Sequence, residues 1–152
     1  MFRRPWSILS TVSRPTVSSD DEPALSIAAK TMLAIRVWRW YLFVRREVRR
    51  KRLPDLVREL GRTAVQGNRR SPALLSLAVH RSLRIGPHRP RCLFGALVLY
   101  RLLREQGDEA ELVIGLPNDA RDHEAHAWVE MSGRDVGPPP GRGRHVAMAR
   151  FS

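Results

Sequence analysis

The stretch RPRCLFGALVLYRLLREQG, Arg89 to Gly107, decides how the rest of the chain is read. It holds the only cysteine, Cys92, just after a proline and at the head of an apolar run. Leu93, Ala96, Leu97, Tyr100 and Leu103 recur at helical spacing, and Val98 and Leu99 widen the face. Gly107 is a stop signal, with Arg101 and Arg104 toward the C-terminal end. The run predicts a core helix whose first residue is a thiol. That thiol is either a small core group or a nucleophile mounted on a helix N-terminus.

Downstream the pattern changes to strands. AELVIGL (110–116) is short and β-branched, and AHAWVEM (125–131) is a second strand. The polar loop PNDARDHE separates them. Ser132-Gly133 leads into RDVG (134–137), a hairpin signal, and PPPGRGRH (138–145) reads as irregular. Upstream, Ala24 to about Arg52 has apolar residues at three- and four-residue steps and ends in the basic run RREVRRKR (45–52). Pro54 opens a short helix, DLVREL, stopped by Gly61. Ser71-Pro72 caps another, ALLSLAVHRSL, and IGPHRP (85–90) is a loop. Helices first, then a helix on a small antiparallel sheet, predict an α+β fold. The expected organisation is a flexible tail over 1–23, a basic helical region over 24–84 and a catalytic core over 85–152.

Composition narrows the class. The chain has 152 residues, 43% hydrophobic and 28% charged, an ordinary globular balance. One cysteine excludes an internal disulfide. The apolar run of the N-terminus is too short for a secretion signal. The best spanning candidate, Ala24 to Val44, is broken by Lys30, Arg36 and Arg39, so no transmembrane segment is expected. A soluble cytoplasmic protein follows. The net charge is +12, unevenly spread. Residues 91–152 hold eight Arg against nine Asp and Glu, so the other 19 basic and six acidic residues all lie in 1–90. That asymmetry assigns an acidic partner to the first part and a different task to the second.

Cys92 and His126 have the residue types that acyl transfer needs. Backbone N–H groups and the positive dipole end of a helix favour a thiolate and a developing oxyanion. An imidazole can take the thiol proton and return it to a leaving amine. Position and type alone leave Cys92 evenly balanced between core residue and nucleophile, and a lone His126 is more often structural. His123, His126 and Cys92 do not make a metal set, because residues three apart on a strand face opposite ways. Gly141-Arg142-Gly143 follows no strand and is no phosphate loop. Trp128, two residues from His126, either walls a site, donates its indole N–H there, or packs in the core.

The run CLFGALVLYRLLREQGDEAELVIGLPNDARDHEAHAWVEMSGRDVG (92–137) resembles the transglutaminase-like peptidases of lasso-peptide biosynthesis. The resembling features are Cys92-Leu93 opening the helix, Leu102-Leu103-Arg104 near its end, the strand Glu111 to Gly115, and HAWVE from His126 to Glu130. The resemblance covers about residues 50–152. It implies a papain-like, transglutaminase-like core with cysteine peptidase activity, Cys92 as nucleophile and His126 as general base and acid. The implied substrate is a ribosomally made precursor, whose leader is removed before a separate cyclase closes the macrolactam. It implies no cofactor. One position departs. The family's aspartate, twelve residues past the histidine, is here Pro138, which has no acceptor. With a three-residue loop Met131-Ser132-Gly133, His126 faces Pro138 and Asp135 faces Val129, about 10 Å along the strand from His126. A bulge or another loop would bring Asp135 closer, which makes it the candidate third member. Otherwise it is a turn aspartate, and a backbone carbonyl, Asp119 or Asp122 orients the imidazole.

The basic helices carry no motif of their own. They suit a docking surface for the leader or its recognition protein, an acidic surface such as nucleic acid, or a membrane interface. The resemblance favours docking, with a leader-recognition protein acting in trans and the lasso cyclase as a further partner. Nucleic acid, which rests on charge alone, is not expected. The competing reading of the whole chain is a catalytically impaired peptide-binding protein on the same fold.

Overall fold

The computed structural model of the chain describes residues 26–62, 69–84, 91–118 and 124–152. The expected tail and the loop 85–90 lie outside them, as do Asp119, Asp122 and His123. Four helices precede a sheet: α1 (Ile27–Glu47), α2 (Leu53–Leu60), α3 (Pro72–Leu83) and α4 (Cys92–Glu105). The strands are β1 (Glu111–Pro117), β2 (His126–Met131), β3 (Arg134–Gly137) and β4 (His145–Phe151). All pairings are antiparallel, in the order β3-β2-β1-β4, so the fold is α+β as expected.

Local chemistry sets the helix ends. Ser26 and Ser71 accept hydrogen bonds from the amides of Ala29 (3.2 Å) and Leu74 (3.3 Å), capping α1 and α3. Proline in the first turn starts α2 and α3. Gly107, at φ 85°, turns the chain out of α4.

Helix α4 is the axis of the molecule. Ala96, Leu97, Val98, Leu99 and Tyr100 are all fully buried, so every side of the helix is covered at its middle. Val37 and Val44 from α1, Leu56 and Leu60 from α2, and Val79 from α3 share one core with it. Leu112, Ala127 and Val129 of the sheet close that core from the other side. The helices expected as a basic region over 24–84 therefore bury their apolar stripes in the same core as the expected catalytic part. Most of their arginines lie on the surface, and Arg36, half-buried, pairs with Glu105 of α4. The end of α4 is tied to the segment before α3 by a paired amide. Gln106 accepts from the Arg70 N–H at 3.1 Å and donates to the Arg70 carbonyl at 2.8 Å.

Two features differ from the sequence expectation. Strand β4 forms the sheet edge beside β1, although residues 146–152 carried no expected element. Its alternating exposure, with Val146 and Met148 outward, gives a weak apolar signal. The hairpin loop has two residues, not three. Ser132 (φ 49°) and Gly133 (φ 73°) both adopt positive φ, the geometry that matches strand twist in a two-residue hairpin. Met131 then faces Arg134, Glu130 faces Asp135, and Val129 faces Gly137. Val136 is the extra residue of a bulge.

Gly115 sits where the register of β1 against β4 shifts. A Cβ there would collide with the Val146 carbonyl oxygen and lie 2.7 Å from the Trp128 ring. Gly115→Ala is expected to lower unfolding stability by about 1–3 kcal/mol, because backbone and a buried indole must both move. A chemical-denaturation midpoint equal to that of the unchanged chain would show that the close approach is not tight.

Candidate active site

Cys92 is the first residue of α4 and is partly exposed. The helix start differs from those of α1 and α3. Arg91 stands at its N-cap and makes no side-chain capping bond, and no acidic residue lies in the first turn. The Phe94 N–H is bonded to the Arg91 carbonyl at 2.9 Å. Ahead of that turn the dipole and amides of a buried helix meet the thiol. The thiol itself donates to the Ala125 carbonyl, 3.9 Å away, one residue before His126.

His126 opens β2. Strand alternation puts Ala127 and Val129 into the core against α4, and His126, Trp128 and Glu130 on the other face. There Gly115, Val113 and Glu111 of β1 stand opposite them. The His126 ring is nearly parallel to Trp128, with centroids 6.3 Å apart. His145 of β4 lies closer, at 4.9 Å. The His145 Nδ1 and the Arg142 carbonyl are 3.0 Å apart, so that nitrogen carries the proton when they bond. His126 Nε2 is buried and has no hydrogen-bond partner among the described residues.

Cys92 and His126 border two hollows. One, of about 470 Å³, is walled by Val79 and Leu83 of α3, by Gly95, and by Pro138. The other, of about 700 Å³, holds Leu93, Ile114, Glu124 and His145. Arg91 and Ala127 also border both. The thiol and imidazole thus stand on a saddle, with room on either side for an extended chain.

Asp135 is not at this saddle. Its Oδ1 accepts from the Gly137 amide at 2.8 Å and its Oδ2 from the Arg142 amide. Both oxygens hold the backbone that leaves β3, and the side chain borders neither hollow. The two-residue loop sets Asp135 opposite Glu130, farther from His126 than expected, and the bulge at Val136 comes only after it. Pro138, at the departing position, borders the first hollow and packs against Gly95, where a Cβ would lie 3.3 Å from its Cγ. Of the three expected catalytic residues, then, Cys92 and His126 share a hollow and Asp135 stands apart. Asp119 and Asp122 lie outside the described residues. The sequence reading missed His145 and Glu124. The alternation from His145 to Phe151 was the available signal for the first.

Trp128 is fully buried and spends its indole N–H on Glu130, at 2.8 Å. Arg150 donates to the same carboxylate at 2.7 Å and to Glu111 at 3.1 Å. Burial pushes the Glu130 carboxyl up, but the bonds from Trp128 and Arg150, with the charges of Arg150 and Arg142, outweigh it. The carboxyl ends below its ordinary range, fixed as an anion behind the aromatic cluster. Among the described residues, no group of three metal-ligating side chains is assembled.

The model of the Transglutaminase-like superfamily matches residues 32–149. The chain belongs to that superfamily. The match begins within α1, well before the stretch that carries the sequence resemblance, and takes in most of α1, the other three helices and nearly the whole sheet. The superfamily includes cysteine peptidases, and its fold commonly carries protease or transglutaminase activity. Comparison with curated proteins and with solved structures gives no match. No helix among the described residues is long and apolar enough to cross a membrane.

The Glu130 anion gives a pH prediction. A carboxyl held lower in the folded than in the unfolded chain contributes stability above its unfolded value, and that contribution fades as pH falls through the folded one. Glu130→Gln should therefore cost about 1–3 kcal/mol near neutral pH. It should cost progressively less below an ordinary carboxylate pKa of 4.5. Urea titrations of both proteins across pH 3–7 test this, and a constant difference would refute it.

Proposed function

We propose that this chain is a cysteine peptidase that removes the leader from a ribosomally made lasso-peptide precursor. The observation that carries the reading is Cys92 at the uncapped start of a buried helix, bordering the same two hollows as His126. Superfamily membership makes peptide-bond chemistry the natural use of that pair, and the HAWVE resemblance supplies the substrate class.

The chemistry follows from the groups present. His126 accepts the proton of the Cys92 thiol, and the thiolate attacks the scissile carbonyl carbon. The tetrahedral oxyanion draws on amides of the first turn of α4. Collapse breaks the C–N bond, and His126 returns the proton to the leaving amine. Water, deprotonated by His126, then hydrolyses the thioester and frees the thiol. The thiol's bond to Ala125 must give way to one with the imidazole, a rearrangement substrate can induce. The hollows on both sides of the thiol suit a chain lying across it. Leader recognition by a separate protein, and hand-over to a cyclase, belong to the same proposal.

A second reading has its own support. Pro138 offers no acceptor, and both Asp135 oxygens are engaged by backbone. A chain without a third member could hold the precursor and leave the cutting to another protein.

The deciding experiment mixes the purified chain with the neighbouring precursor and its recognition protein, and follows product mass. A leader-sized loss is expected with the unchanged chain and none with Cys92→Ala. His126→Ala should slow cleavage by roughly three orders of magnitude or more. Cleavage by Cys92→Ala would overturn the nucleophile assignment. No cleavage by the folded, unchanged chain with its recognition partner present would select the second reading.

A further inference from the structure

Helix α1 is apolar on two opposite sides. Leu33, Val37, Tyr41 and Val44 face the core. On the outer side Ile27, Met32, Ile35, Trp38 and Leu42 are 36–84% exposed. A helix apolar all round is ordinarily buried all round. Here the outer stripe has no cover among the described residues, so something outside them must meet it.

The charge beside the stripe says what kind of surface that is. Arg45, Arg46, Arg49, Arg50, Lys51 and Arg52 are all exposed and follow directly on Leu42. Glu47 is the only acidic residue of α1, and Lys51 and Arg46 already reach it. No carboxylate pairs with Arg39, Arg45, Arg49, Arg50 or Arg52 among the described residues. The occupant must therefore be strongly anionic and also accept apolar side chains. Shape separates the candidates. The stripe is a ridge on one helix, and Leu42 alone of its residues lines the hollow between α1, α2 and α4. A partner helix docks into a groove, whereas a lipid surface receives a ridge. Nucleic acid would engage the arginines and leave Ile35 and Leu42 in water.

We propose that α1 lies in the plane of an anionic phospholipid membrane. Ile27, Ile35, Trp38 and Leu42 enter the acyl boundary, and the 45–52 run holds the headgroups. Interfacial tryptophan and a flanking basic cluster are the chemistry such a surface selects. The chain would sit on the membrane and not span it, and α4 with Cys92 would face away from the lipid-bound ridge through the intervening core.

Co-sedimentation with unilamellar vesicles tests this without reference to peptidase activity, and Cys92→Ala protein serves equally well. Vesicles of phosphatidylglycerol and phosphatidylcholine in equal parts should bind the chain about tenfold or more tightly than phosphatidylcholine alone, and added salt should weaken the binding. The double variant Ile35→Glu, Leu42→Glu, with an unchanged circular-dichroism spectrum, should lose about tenfold or more of that affinity. No sedimentation with the anionic vesicles overturns the proposal. So does binding that survives the double variant, which would make the arginines alone responsible. A solution dimer abolished by the same variant would assign the stripe to a second copy of the chain and overturn it too.

Discussion

Helix α4 passes between three helices and a sheet, with Ala96 to Tyr100 sealed from solvent, so whatever chemistry it carries is confined to its ends. At the C-terminal end Gln106 is consumed in pairing with the backbone of Arg70. At the N-terminal end nothing comparable happens. Arg91 makes no cap, and the first side chain is a thiol. Burying the helix costs no freedom at Cys92, because the core beneath it positions the first turn rigidly. A polar cap on that turn would have satisfied its amides and closed the site.

The sheet supplies the second half by alternation. Ala127 and Val129 must face α4 to close the core, so His126, Trp128 and Glu130 are driven to the other side. That face would be costly if left to itself, since it carries a fully buried indole and a buried carboxylate. Arg150 and the indole N–H satisfy the carboxylate. Gly115 makes room for the ring. Strand β4 thus serves the site although it supplies none of the expected catalytic residues. Without its arginine Glu130 would be a buried anion with one partner, a far more costly arrangement.

This division explains what the sequence could and could not reveal. The extents of α2, α3 and α4, and of the first three strands, were legible because proline, serine and glycine punctuate them and their apolar periods are clean. Cys92 and His126 were legible because each opens an element. Strand β4 was not, because two of its exposed residues, Val146 and Met148, are apolar while His145 is among the half-buried ones, which blurs the usual edge pattern. The hairpin register was not, because Ser132 adopts a positive φ that composition does not signal. A one-residue change in that loop moved Asp135 from opposite Val129 to opposite Glu130. The charge asymmetry marks a basic region, but charge sits on surfaces and says nothing of how the apolar stripes beneath are shared, and those of 24–84 and 85–152 meet in one core.

Orienting an imidazole and stabilising its charge are separate tasks, and an aspartate performs both at once. In this chain they are divided. Trp128 and His145 border the ring of His126 and can hold its plane by contact alone. Neither carries a negative charge to offset an imidazolium. Asp135 is withdrawn into the turn, and Pro138 fills the vacated position with a rigid apolar wall against Gly95. The carboxylate that does border a hollow with His126 is Glu124, which approaches from the strand's leading end and not from the hairpin partner. On the proposed reading, such a site holds Cys92 and His126 beside the same hollows, and the bond between them forms only when the thiol leaves the Ala125 carbonyl. If the chain is the proposed peptidase, its charge stabilisation falls to the oxyanion side, at the amides of α4, and to what the peptide itself brings into the second hollow.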